Sequence, residues 1–307
     1  MGVWFDNSSE PEKLVGTSRA IRKIKKQIKV AASYDYPVLI SGETGVGKTL
    51  VAHLIHSTSR RREKPFLHQS CSNISSELLE SELFGHEKGA FTGATERKKG
   101  KIEIADGGTL FLDEIADLSH QNQAKLLLFL ERGKFFRVGG TEEIRADVRV
   151  ISASNRDLKK VIKAGKFRVD LYFRLNTIEI YILPLKERKE DIPLLVEEIL
   201  RRENERCKTN KSISSEAMNK LLRYDFPGNV RELENLIKRA IVTSKGSEIK
   251  ANDIVLGKAG SVRKRKKVTP ELAEKTLQKY RANKSRAARE LGISRQSLYK
   301  ILKKKKV

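Results

Sequence analysis

The stretch Gly42-Glu43-Thr44-Gly45-Val46-Gly47-Lys48-Thr49 packs three glycines before a lysine and a threonine. An apolar run, Val38-Leu39-Ile40-Ser41, precedes it, and Leu50-Val51-Ala52-His53-Leu54-Ile55-His56 follows with helical character. Strand, glycine loop and helix in this order, with the spacing G-x-x-x-x-G-K-[ST], make a P-loop. Glycines let backbone N–H groups wrap phosphate oxygens without side-chain clashes, and the helix N-terminus adds partial positive charge. Lys48 is placed to reach the β- and γ-phosphates of a nucleotide, and the Thr49 hydroxyl to help hold Mg²⁺.

The chain from Leu14 to about Leu183 alternates apolar strand-like runs with amphipathic helical ones, which predicts an α/β fold with a parallel sheet covered by helices. Strands are predicted at Val38–Ser41, Phe66–His68, Thr109–Asp113, Val148–Ser152 and Ile178–Ile182. Helices are predicted at Arg19–Ala32, Thr49–Ser57, Ser75–Phe84 and Gln121–Arg132. Beyond Pro184, the segments Asp191–Cys207, Ser214–Tyr224 and Val230–Thr243 show helical periodicity without intervening strands, predicting a small helical subdomain. The expected boundaries are a polar lead-in at 1–13, an α/β subdomain at 14–184, a helical lid at 185–257, a basic linker at 258–269 and a DNA-binding domain at 270–307.

The run Thr109-Leu110-Phe111-Leu112-Asp113-Glu114 ends an apolar strand in two carboxylates, 65 residues after Lys48. Taken alone, such a pair is often a helix cap with a solvated neighbour. Together with the P-loop it is the arrangement for hydrolysis: Asp113 holds Mg²⁺, and Glu114 orients or deprotonates the attacking water. A third strand leads to Asn155, whose amide could sense a γ-phosphate or simply make a turn.

The 307 residues carry 63 Lys+Arg against 39 Asp+Glu, a net charge of +24. No apolar run approaches the roughly 18 residues that span a bilayer, and Leu126–Leu130 is far too short. The N-terminus lacks the apolar core of a signal peptide. Two cysteines, Cys71 and Cys207, make neither a disulfide framework nor a zinc set, so a reducing cytoplasm is expected. His53 and His56 read as ordinary helix residues rather than metal ligands. The charge is uneven. From Lys258 to Val307 there are 18 Lys+Arg and 3 Asp+Glu, +15, against 45 and 36, +9, in the remaining 257 residues. A basic C-terminal module points to nucleic acid.

Leu83-Phe84-Gly85-His86-Glu87, followed by Gly89-Ala90-Phe91-Thr92-Gly93-Ala94, resembles the GAFTGA segment of the bacterial enhancer-binding proteins, AAA+ ATPases that activate sigma-54 RNA polymerase. The resemblance continues through GGTLFLDEI, RVGGTEEIRADVRVISASNRDL, FRVDLYFRLN, LPLKERKEDIP and FPGNVRELEN, across about residues 14–245. It implies an AAA+ P-loop domain with a helical lid, a ring of subunits (a hexamer), and ATP between neighbours. It further implies that Gly89–Ala94 contacts sigma-54, with Phe91 and Thr92 at the tip, and that Lys134–Thr141 is a second surface loop. Arg168 and Arg174 match arginine fingers supplied to a neighbouring subunit's phosphate, and Arg231 matches a sensor arginine of the lid. Asn155 gains its sensing role from the same resemblance. Glu103 and Arg137 match positions that relay nucleotide state to the loops.

Three positions depart from the family pattern. Thr49 replaces the usual Glu and restores the general P-loop hydroxyl. Ser70 replaces an Asn that often restrains the catalytic Glu, which puts that switch in doubt, and Phe226 replaces Trp. The 13 residues before the match imply either no N-terminal regulatory domain or a shortened chain.

At the C-terminus, Pro270–Tyr280, Arg286–Leu291 and Arg295–Lys300, with Gly292 as the turn and Ser294 as a cap, read as a helix-turn-helix. It resembles the Fis-type domain that ends this family. Ala287, Ala288, Leu291, Ile293, Leu298 and Ile301 form its expected core. Lys284, Arg295, Gln296, Ser297, Tyr299 and Lys300 are its expected DNA face, arginine and glutamine for base edges and lysines for phosphates. These readings predict a sigma-54-dependent activator that binds enhancer DNA and spends ATP on promoter opening. The alternative is an AAA+ remodeller or DNA motor acting on another target.

Overall fold

The computed structural model describes residues 13–72, 74–256, 269–280, 283–291, 293 and 295–303. The lead-in apart from Lys13, the linker up to residue 268, and Gly292 and Ser294 lie outside them. The chain forms two compact units, Met1–Val255 and Leu256–Val307.

Five parallel strands build the sheet of the first unit: β1 (Val38–Ser41), β2 (Phe66–Ser70), β3 (Thr109–Asp113), β4 (Arg149–Ser154) and β5 (Ile178–Tyr181). Their order is β2-β3-β4-β1-β5. Val38 pairs with Ile151 on one side and Ile178 on the other, and Thr109 pairs with both Phe66 and Arg149. Strands buried on both faces read as continuous apolar runs, which is why β1, β3 and β4 were visible in the sequence. β4 is displaced from the predicted Val148–Ser152, β2 runs on to Ser70, and β5 stops at Tyr181.

Each sheet face has its own core. The helices Arg19–Ala32 and Lys48–Ser57 press Ile21, Ile24, Ile28, Val51 and Ile55 onto Val38, Ile40, Ile151 and Ile180. His56 belongs to this layer: it is buried, packs on Phe66, and its Nδ1 lies 3.0 Å from Thr109 Oγ1. The opposite face carries Leu39, Leu110, Leu112 and Val150 beneath Leu83, Phe84, Leu126 and Phe129. Side-chain caps set the helix starts: Ser18 Oγ accepts from Ile21 N, Ser75 Oγ from Leu78 N and Ser119 Oγ from Asn122 N.

The lid comprises the helices Ile192–Cys207, Ser215–Leu222 and Asn229–Thr243. It is not free of strands, as the sequence suggested. Ser212–Ile213 and Glu248–Ile249 pair in parallel, and two residues are too few to carry a period. The short helices Lys101–Ile104, Leu158–Lys163 and Val169–Leu175 escaped the sequence reading for the same reason.

The second unit contains the helices Pro270–Lys279, Lys284–Glu290 and Arg295–Lys303 around Ala273, Ala287, Ala288 and Leu298. Leu291, Ile293 and Ile301 pack against this core, as expected. On the first helix the buried stripe is Ala273, Thr276, Leu277 and Tyr280, and Leu272 is exposed.

Asp191 ties the start of the first unit to the lid. Fully buried, its carboxylate accepts from Thr17 N and Ser18 N, each at 2.8 Å, and from Ser18 Oγ at 2.6 Å. Asp191→Ala strands three donors, the two on Ser18 buried, so it should lower unfolding free energy by about 3–4 kcal/mol. Urea denaturation of the full chain measures this, and a loss near zero would show that the tie contributes nothing.

Candidate nucleotide site and surface loops

Parallel pairing brings three strand ends together. Gly42 N–H donates to Ser154 O at 3.2 Å, so the glycine loop leaves β1 beside the end of β4, and β4 lies between β1 and β3. Gly45 has φ +81°, and a Cβ there would lie 2.3 Å from Gly228 O, so both conformation and close approach demand glycine. Lys48 is buried and folds back on the loop, donating to Gly42 O at 3.0 Å and Glu43 O at 3.3 Å. Thr49 occupies the next position of the same helix.

The acidic pair stands opposite. Glu114 has φ +53°, an uncommon conformation for a non-glycine residue, and its N–H donates to Asp113 Oδ1 at 2.9 Å. Its Oε1 lies 4.0 Å from Lys48 Nζ, and its Oε2 accepts from Asn155 N–H at 3.2 Å. Asn155 Nδ2 donates to Thr44 Oγ1 at 3.2 Å, closing a chain from glycine loop to acid. Burial raises the Glu114 pKa, opposed by the Asn155 N–H and by Lys48. Burial lowers that of Lys48, opposed by Glu114 and Asp113. The Ser70 hydroxyl bonds the Ser72 hydroxyl, at 3.0 Å, rather than Glu114.

The lid helix Asn229–Thr243 meets the same loop: Arg231 N–H donates to Gly45 O at 3.3 Å, and the Arg231 residue is exposed. Gly42 to Thr49, Asp113, Glu114, Asn155 and Arg231 therefore lie together around the glycine loop. Two parts of it escaped sequence reasoning. A cleft of about 640 Å³ opens beside Val46 and Gly47, walled by Leu14, Val15, Leu50 and Ile199. Arg188 is a buried cation on that wall, with Nη2 donating to Val46 O at 3.2 Å. Burial lowers its pKa, and Asp191 opposes the shift. These residues come from distant segments, so no local pattern announces them.

Gly89–Ala94 forms a loop closed on itself: Gly89 N–H donates to Ala94 O at 2.8 Å and Ala94 N–H to Phe91 O at 3.0 Å. Phe91 is 40% exposed, its ring edge-on to His86 with centroids 5.0 Å apart. Arg137, 3% exposed, reaches from the second loop to Glu87 and Glu103, at 2.8 Å each. Gly139 lies so near Ala90 that a Cβ would sit 2.8 Å from the Ala90 Cβ. Buried Arg137 of the second loop thus joins Glu87, just before the first loop, to Glu103 of the helix Lys101–Ile104.

Arg168 and Arg174 bond elsewhere in the chain. Arg168 pairs with Asp170 at 2.7 Å, and Arg174 donates to Leu130 O at 3.1 Å. In the second unit, Arg295 and Ser297 are exposed and Lys284 is half-buried. The side chains of Gln296, Tyr299 and Lys300 lie outside the described residues.

Three families match in sequence along the chain: the Sigma-54 interaction domain at residues 14–181, the AAA+ ATPase lid domain at 186–258, and the bacterial regulatory protein, Fis family, at 271–304. The transcriptional regulatory protein ZraR of Salmonella typhimurium is 44% identical over 295 residues, covering 93% of this chain and 67% of its own length. The Nif-specific regulatory protein of Rhodobacter capsulatus is 49% identical over 241 residues, 78% of this chain and 42% of that protein. Among solved structures, NtrX from Brucella abortus in complex with ATP superposes with a TM-score of 0.73 at 33% identity, covering 95% of this chain and 69% of that one. A RuvB mutant from Thermotoga maritima, at 18% identity and a TM-score of 0.53, shares the fold. With a sigma-54 interaction domain over more than half its length, followed by the AAA+ lid and the Fis-type helices, the chain belongs to the family of AAA+ ATPases that act as sigma-54-dependent transcriptional regulators.

Proposed function

We propose that ATP binds between the glycine loop and the lid, that its hydrolysis moves the Gly89–Ala94 loop against sigma-54 RNA polymerase to open promoters, and that the second unit holds the assembly on enhancer DNA. The observation that carries this reading is the linkage of Glu114 to Lys48, to Asn155 and, through Asn155, to Thr44 at adjoining strand ends. Backbone N–H groups from Gly42 to Thr49 and the Lys48 ammonium bind the phosphates, while Leu14, Val15 and Leu50 offer an apolar wall to the base. Glu114, once released by Lys48 and the Asn155 N–H, accepts a proton from the attacking water. Asn155 and Arg231 sense the γ-phosphate.

Thr49 and Asp113 supply hydroxyl and carboxylate oxygens, the hard donors that Mg²⁺ takes together with phosphate oxygens. The described residues contain no group of three or more His, Cys, Asp and Glu able to hold a metal ion. When bound, Mg²⁺ neutralises charge on the phosphates. Arg168 and Arg174 serve a neighbouring subunit's phosphate in a hexameric ring, where a guanidinium stabilises the spreading charge. Arg168 exchanges Asp170 for that phosphate. Lys284, Arg295, Gln296, Ser297, Tyr299 and Lys300 face the DNA, and the protein works in the cytoplasm. No helix among the described residues is long and apolar enough to cross a membrane.

A base must be ionised, so turnover is present above the Glu114 pKa and lost as pH falls through it. Because burial raises that pKa, the acid limb of kcat/KM for ATP should lie above the ordinary carboxylate range. A limb within that range contradicts the assignment, and Glu114→Gln should reduce kcat by about 10²-fold or more.

Thr92→Ala should leave ATP turnover within about twofold of the parent, since the loop's backbone hydrogen bonds close on itself and on Glu87, yet abolish open-complex formation by sigma-54 polymerase. A reconstituted transcription assay decides this, and normal activation by the variant refutes the loop's role.

A further inference from the structure

Asn229 opens the lid helix in an unusual way. It is fully buried at φ +55°, a left-handed conformation that a non-glycine residue holds only when its surroundings insist. Its side chain reaches three segments. Nδ2 donates to Glu43 Oε2 at 3.0 Å and to Thr44 O at 3.1 Å, while Oδ1 accepts from Leu185 N–H at 2.7 Å. One amide thus joins the glycine loop, the lid helix and the turn that connects sheet to lid.

Glu43 poses the complementary question. A carboxylate inside a loop of phosphate-binding N–H groups is repelled by a triphosphate at short range. Its bond to Asn229 gives that acid a use. The trans peptide supplies the geometry, because a carbonyl fixed on one side sends the following N–H to the other. Asn229 holds the Thr44 carbonyl, and Arg231 N–H holds the Gly45 carbonyl. The Gly45 and Val46 N–H groups are therefore directed away from the lid helix, where an anion needs donors.

We infer that Glu43 and Asn229 form a clasp that shapes the glycine loop for phosphate and couples it to the lid, making Asn229 a positioning residue for nucleotide binding. The inference rests on the ATPase reading above. Phosphates that shift Thr44 or Gly45 pull directly on the first turn of the lid helix, so nucleotide state reaches the lid through this contact as well as through Arg231.

Asn229→Asp keeps the size and the tolerance for positive φ but exchanges the donor amide for an acceptor facing Glu43 and the Thr44 carbonyl. In the full chain it should raise KM for ATP about tenfold, the effect of losing a hydrogen bond to a charged group, with a smaller change in kcat. It should also speed amide hydrogen exchange in the first turn of the lid helix without nucleotide. Adding Glu43→Gln restores a donor across the clasp and should recover a large part of both effects. Glu43→Ala provides a test of opposite sign at an exposed residue. Coulomb's law alone predicts tighter ATP binding once the carboxylate is gone, whereas the clasp predicts weaker binding and faster exchange. Tighter binding by Glu43→Ala, parent-like exchange in both single variants, or no recovery in the double variant overturns the clasp. If Asn229→Asp fails to fold, Glu43→Ala still decides. Exchange is read without nucleotide, so a parent protein that failed to bind ATP would contradict the nucleotide reading and leave the clasp separately measurable.

Discussion

Parallel pairing of Val38–Ser41 with Arg149–Ser154 on one side and Ile178–Tyr181 on the other places successive chain reversals at one edge of the sheet. In open α/β sheets that edge is where ligands bind, because the loops that leave the strands converge there. Here the register sets the details. Gly42 leaves β1 hydrogen-bonded to Ser154, the residue that follows β4 is Asn155, and one strand further on β3 ends in Asp113 with Glu114 next. Lysine, acid and amide meet because three neighbouring strands end level with one another. A register slip in β4 would move Asn155 and break the link between Glu114 and Thr44.

The remaining structure keeps that edge in communication with its surroundings. Asp191 fastens the segment before the first helix, Arg188 bonds the loop at Val46, and Asn229 bonds it at Thr44, so the lid touches the glycine loop through several short polar contacts. Buried polar contacts of this kind are intolerant of partial loss, which suits an element that must hold one of two positions rather than drift. Away from the strand ends, buried Arg137 gathers Glu87 and Glu103 into a second ion-pair node next to the Phe91 loop in the chain. The helix Lys101–Ile104, which carries Glu103, lies shortly before β3 in the chain, so displacement of the acid-bearing strand and of the loop share a short covalent path.

Much of this was legible in the sequence because the signals were local. The glycine loop between an apolar strand and a helix, the acidic pair ending Thr109–Asp113, and the serine caps each depend on a few adjacent residues. The GAFTGA loop and its partners Glu103 and Arg137 came from resemblance, and the structure shows that pair joined directly. What stayed hidden depends on distance in the chain. The cleft draws its walls from Leu14, Leu50 and Ile199, and Asn229 makes sense only once Glu43, Thr44 and Leu185 surround it. The strand pair of the lid was invisible because two residues carry no period. The buried stripe of the first C-terminal helix runs through Ala273 rather than the exposed Leu272, because alanine packs closely although it is a weak hydrophobic signal.

On the function proposed above, nucleotide chemistry at the strand ends governs the Gly89–Ala94 loop. The most direct measurement is binding of purified sigma-54 by the full chain with ADP and aluminium fluoride, a stand-in for the transferring phosphate, compared with ADP alone. A stable complex should form with the first and none with the second. Equal binding in both states, or no complex in either, would contradict that function.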